Sequence, residues 1–123
     1  MKGVVITTDK RAFVKAFSYP LYKSIGEAVG GYIENVYPKG LPNPLMMVVN
    51  EEGLIRQLPI NLIASHWYGT RHHGRPICGD SVVMALGCTP NGPDIVGLSE
   101  AEVEWVLTTL MLMGVEIVKE ATA

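Results

Sequence analysis

The segment Leu45-Met46-Met47-Val48-Val49 carries no polar side chain at any position. Side chains along a strand alternate between the two faces of a sheet, so a strand with this sequence is apolar on both and must be covered on both. That requirement predicts an internal strand in a sheet with material packed above and below it. Ile77 to Leu86, whose Val82 to Leu86 part is again unbroken, is a second candidate of the same kind. A chain of 123 residues suits one domain of this design, able to bury roughly 65% of its unfolded surface. The expectation is a single α+β domain over residues 1–123: a small antiparallel or mixed sheet, strands 45–49 and 81–86 internal, packed by two or three helices.

The flanking segments supply the rest of that architecture. Residues 3–8 and 13–19 are short and β-prone with a polar connection at 9–11, which predicts an opening hairpin. Leu21, Ile25 and Val29 recur at helical spacing and Gly30-Gly31 follows as a left-handed stop, predicting a helix over 21–29. Residues 32–37 read as a strand, and the three prolines of 38–44 force a surface loop. Asn50-Glu51-Glu52-Gly53 reads as a tight turn pairing 45–49 with 54–58, Glu51 and Glu52 being solvated at its tip. Residues 60–68 predict a second helix with Leu62, Ile63 and Trp67 inward, ended by the breakers of 69–76. The last helix has the clearest start, because Ser99 and Glu102 form a capping box ahead of Val103, Val106, Leu107 and Leu110; Gly114 ends it. Its Leu110 to Met113 end is apolar nearly all round, which predicts a homo-oligomer contact.

Composition removes several classes of function. Ten basic against twelve acidic residues give a net charge of -2, which argues against a nucleic-acid partner. Cys78 and Cys88 form no CxxC pair, and the start lacks a long apolar stretch, so reduced thiols and a cytoplasmic location are expected. No apolar run approaches the roughly 20 residues of a membrane helix. GxSxG, P-loop and GxGxxG patterns are all missing, and no cofactor is implied.

Chemistry concentrates in one place. His66, Trp67, Tyr68, Arg71, His72, His73 and Arg75 hold all 3 histidines and two of the arginines within ten residues. Guanidinium forks bind phosphate or carboxylate at two points, imidazoles add donors, and aromatic faces stack on a base, so the cluster suits a small anionic ligand such as a nucleotide. A solvated polar loop over packed Trp67 and Tyr68 is the competing reading. A metal held by His66, His72 and His73 with Cys78 or Asp80 fits less well, since adjacent histidines diverge and no metal motif accompanies them. A Cys78 nucleophile with His72 or His73 as base competes with a plain buried thiol, and Asp80 with a backbone-capping role.

The ordered phrases GGYIENV (30–36), MMVVNEEGLIRQLPINLIAS (46–65), RPICGDSVVMALG (75–87) and IVGLSEAEV (95–103) resemble a short, functionally unassigned family common in bacteriophages and actinobacteria. Its members carry a GGYIE segment, an N-E-E-G turn, an N-x-x-A and an I-x-G-[DN] strand. The resemblance implies a small α+β domain in a phage or mobile-element accessory protein, and it brings no activity to transfer. Among the motif positions, the glycines and Asn50 have turn-forming explanations, whereas Asn61, Glu34 and Asp80 join the cluster as candidate site residues. The function expected is non-enzymatic capture of a small anionic ligand, foremost a nucleotide second messenger of host defence. The alternatives are a protein-interaction inhibitor acting through the Met/Leu end of the last helix, and a nucleotide hydrolase using His72 or His73.

Overall fold

The computed structural model describes residues 1–120, apart from the side chain of His73; residues 121–123 of the expected domain lie outside the described residues. Its elements are β1 (Lys2–Ile6), β2 (Arg11–Ala16), α1 (Leu21–Val29), β3 (Ile33–Val36), β4 (Leu45–Asn50), α2 (Leu62–Tyr68), α3 (Thr70–His73), β5 (Ser81–Thr89), β6 (Gly92–Val96), α4 (Glu100–Leu112) and β7 (Glu116–Ile117). The strands form one mixed sheet in the order β3-β4-β5-β1-β2-β7, with β6 also paired to β5. All pairings are antiparallel except β2 with β7. The α+β class expected from the sequence is the class observed.

Period-two alternation divides the core between the two faces. Val4, Ile6, Met47, Val49, Val83 and Ala85 point to one side, where α2 contributes Ile63, Ala64 and Trp67 and α4 contributes Val106 and Leu110. Val5, Met46, Val48, Val82 and Met84 point to the other, beneath Ile25 and Val29 of α1. This is why β4 carries no polar side chain before Asn50: it lies between β3 and β5 with a helical layer on each face. β5 is long enough to serve three neighbours. One edge pairs β4 through Val82 to Ala85; the other pairs β1 through Ser81 to Val83 and then β6 through Ala85 to Thr89.

The helices begin and end as the sequence predicts at the strongest signals. α1 stops at Gly30, whose φ of 85° suits glycine, and α4 starts with the full Ser99–Glu102 capping box. Several expectations are corrected. The 45–49/54–58 hairpin does not form; residues 51–57 make successive turns, and β4 pairs β3 instead. Asn50 directs the chain away, its Oδ1 accepting from the Glu52 N–H at 2.8 Å while its Nδ2 donates to the Val29 carbonyl at 3.0 Å. Gly53 is there for a close approach, since a Cβ would run into the Cys78 carbonyl. Leu62, expected inward, is exposed on the outer side of α2. Residues 77–80 precede β5 instead of belonging to it, with Ile60 and Cys78 forming an isolated bridge. The 38–44 loop is a loop as expected, but Leu41 turns into the core. β6 and β7 carry no clear strand signal in the sequence, because one contains Pro93 and the other is only 2 residues long.

Candidate anion site

The candidate cluster lies on α2, α3 and the residues just after them, and side-chain hydrogen bonds tie this segment to the sheet and to itself. Asn61 caps α2 by accepting the Ala64 N–H at 3.1 Å, and its fully buried amide donates to the Ile6 and Gly79 carbonyls at 3.0 and 3.1 Å. One side chain therefore ties the start of α2 to the end of β1 and to the approach to β5. Ser65 adds a second tie, accepting from the Ile77 N–H at 2.8 Å and donating to the Ile77 carbonyl. Gly69 ends α2 in the left-handed region at φ 84°, and α3 follows as a single turn closed by Gly74 at φ 76°. The Thr70 hydroxyl lies 3.2 Å from the Ser65 carbonyl and 3.0 Å from that of Arg75, bracing this turn at both ends. The breaker-rich segment 69–76 is thus a tied helical turn; its two glycines permit reversals that end one helix and the next.

Arg71, His72 and Arg75 are exposed on and just beyond α3, and His66 is exposed on α2. Among the described residues none of these four has an acidic side chain within ion-pairing distance. Arg75 also borders a small cavity of about 60 Å³ with Tyr68, Glu34 and Glu51. Two carboxylates line that cavity, so it repels an anion, and its volume suits no more than a water or two. Arg71 and His72 are exposed and do not line this cavity, whereas Arg75 is exposed and borders it as well.

The ten residues singled out in the sequence thus separate. His66, Arg71, His72 and Arg75 make up an exposed group of two imidazoles and two guanidinium groups, with half-buried Tyr68 beside Arg75 at the cavity; the side chain of His73 lies outside the described residues. Glu34 reaches the same cavity from β3, as a carboxylate. Trp67 is a core residue, 6% exposed, with Gly40 so close that a Cβ there would come to 2.9 Å of its Cδ1; it offers no face for stacking. Asn61 has its hydrogen-bonding capacity committed to the fold. Asp80 belongs to the opposite layer, bordering grooves with Glu27 and Ala28 of α1, where it accepts the Thr8 N–H at 3.1 Å. Burial raises its carboxyl above the usual range and nearby Asp9 adds to this, while the Thr8 hydrogen bond opposes it. Cys78 is buried, and burial pushes its thiol up as well, away from the thiolate that nucleophilic chemistry needs. No group of three or more His, Cys, Asp or Glu side chains suited to a metal occurs among the described residues.

Fold and cluster together define a small α+β domain whose sheet is covered on both faces and whose α2–α3 corner carries two exposed arginines with no ion pair among the described residues. The chain belongs to the family described as Domain of unknown function (DUF3846), whose model matches residues 1–111. No curated protein and no solved structure matches it. The match begins well before the GGYIE segment, so the opening β1–β2 hairpin is part of the family's domain. No helix among the described residues is long and apolar enough to cross a membrane.

Proposed function

We propose that this chain is a phage-type accessory protein that captures a small anionic ligand, foremost a nucleotide second messenger of host defence, in the host cytoplasm and without turning it over. The observation that carries this reading is the placement of Arg71, His72 and Arg75 on and just beyond one hydrogen-bonded turn, where among the described residues no acidic side chain comes within ion-pairing distance, Glu34 and Glu51 bordering only the cavity they share with Arg75. Guanidinium groups carried on a hydrogen-bonded turn and not engaged by a carboxylate are available to a phosphate, with the imidazole of His72 as a further polar partner. Base and sugar would lie over the surface of the turn, the adjoining cavity being too small to enclose them.

Calorimetric titration with mono-, di- and cyclic nucleotides tests the reading. A charge-assisted bond from an arginine is worth about 1.5–3 kcal/mol, so Arg71→Ala or Arg75→Ala should weaken binding about tenfold to a hundredfold with thermal stability unchanged. Unaltered affinity in both variants would reduce the cluster to a solvated turn. Absence of binding at millimolar nucleotide would favour the second reading, a protein-interaction inhibitor. That reading draws on Met111, Leu112 and Trp105 of α4, which are 55%, 84% and 41% exposed. The same apolar end supports the proposal of a homodimer.

A further inference from the structure

β3 ends the sheet, and nothing among the described residues pairs its outer edge. The Tyr32 carbonyl accepts from the Glu51 N–H at 2.8 Å, which sets the ladder phase: Tyr32, Glu34 and Val36 turn their backbone groups toward β4, while Ile33 and Asn35 turn theirs outward. Two grooves of about 500 and 550 Å³ lie on the α1 side of this edge and share Tyr22 and Ile33. Tyr19, Tyr22 and Tyr32 flank them at 72%, 71% and 74% exposure, a degree of exposure that no packing role explains. Their charged lining is Glu27, Glu51 and Asp94 against a single cation, Lys23, and Glu34 stands exposed on the other face of the same strand.

From these observations we infer that β3 is a docking edge for an extended, basic peptide segment of a partner protein, which adds to the sheet as an antiparallel or parallel strand. An added strand alternates its side chains. Those on the α1 side meet the tyrosine-flanked grooves, where aliphatic groups pack and a Lys or Arg stem can lie across a ring. Those on the other side meet Glu34, so a cationic residue belongs there. The outward N–H and C=O groups of Ile33 and Asn35 supply the main-chain bonds. A second copy of this chain suits the edge poorly, since the antiparallel register that pairs Ile33 with Asn35 of the other copy sets Glu34 against its own counterpart. This edge adjoins the cationic turn at the cavity that Glu34 and Glu51 share with Arg75, but its main-chain groups and tyrosine-flanked grooves lie outside that turn, and a peptide and a nucleotide test the two readings with different probes.

The test is fluorescence anisotropy with two labelled ten-residue peptides, one alternating Val with Lys and the other Val with Glu, against the full chain. The Val/Lys peptide should bind and the Val/Glu peptide should bind at least tenfold more weakly. Asn35→Pro removes an outward donor from an edge strand without touching the ladder to β4, and should weaken binding at least tenfold while leaving the melting temperature close to that of the wild type. Glu34→Lys should reverse the preference between the peptides, and it carries the test should the proline variant fail to fold. Equal binding of both peptides by the wild type, failure of the Val/Lys peptide to bind at millimolar concentration, or unchanged affinity in a folded Asn35→Pro variant would each overturn the proposal. So would self-association of the free chain that Asn35→Pro abolishes, because the occupant would then be a second copy.

Discussion

Asn61 shows how much of this fold hangs on single polar side chains. Its amide serves three backbone partners drawn from α2, β1 and the approach to β5, none of which reaches water. Asn61→Ala should cost roughly 2–4 kcal/mol in urea unfolding, combining a lost cap with two stranded carbonyls. A loss under about 0.5 kcal/mol would show that those groups find other partners. Asp80 works in the opposite sense. Its native carboxyl is raised above the unfolded value of about 3.9, so the native state binds the proton more tightly than the unfolded chain. Its contribution to stability is therefore full below that unfolded value and is lost as pH rises through the raised native one. Asp80→Asn keeps an oxygen for the Thr8 N–H and removes the ionisation. Its stability relative to the wild type should increase with pH across that window and level off above it, as chemical denaturation at a series of pH values would show. The tyrosines around α1 are the residues that a core-oriented reading of the sequence passes over, because their signal is that they stand outside the apolar spacing of their elements.

At the scale of elements, segments whose instructions are local match the structure closely. α4 carries its start signal within four residues, and its capping box satisfies two donors at once: the Glu102 N–H on Ser99 Oγ at 3.1 Å and the Ser99 N–H on Glu102 Oε1 at 2.8 Å. Ser99→Ala should lower stability by about 1 kcal/mol, measurable as a shift in urea midpoint at constant slope. α1 and its Gly30 stop, and the β1–β2 hairpin, are equally legible. The expected hairpin after β4 is instructive by contrast. The motif Asn50-Glu51-Glu52-Gly53 has turn chemistry, and it does turn, but Leu54 and Ile55 are 47% and 81% exposed because β5 and β3 already occupy both edges of β4. Turn residues specify a reversal and leave open which strand arrives next.

At the scale of the molecule, two helical layers leave parts of α4 uncovered. Leu110 is buried and Met113 packs partly against the core, so among the described residues the exposed large apolar side chains at that end are Met111, Leu112 and Trp105. In the proposed homodimer, Leu112→Glu should shift light-scattering mass to that of the monomer without lowering the melting temperature. A wild type that is monomeric across micromolar concentrations would remove the dimer. Met113→Glu, in contrast, should destabilise the fold itself, because its side chain belongs partly to the core.

Sequence alone determined the fold class, the two-sided burial of β4, and the limits of α1 and α4, since each depends on periodicity or on capping within a few residues. It also located the cationic cluster, because charge density is visible without coordinates. Tertiary structure alone decided that β4 pairs β3, that β5 carries three neighbours, and that Pro93 can sit in β6. It alone separated the ten candidate residues, placing Trp67 and Asn61 in the core, Asp80 on the opposite layer, and a carboxylate from Glu34 beside Arg75. The physical reason is the range of the interactions. Hydrogen bonds within a turn and apolar spacing along one element are set by neighbours in sequence, whereas strand order and the company a side chain keeps are set by how several covered faces close around one another.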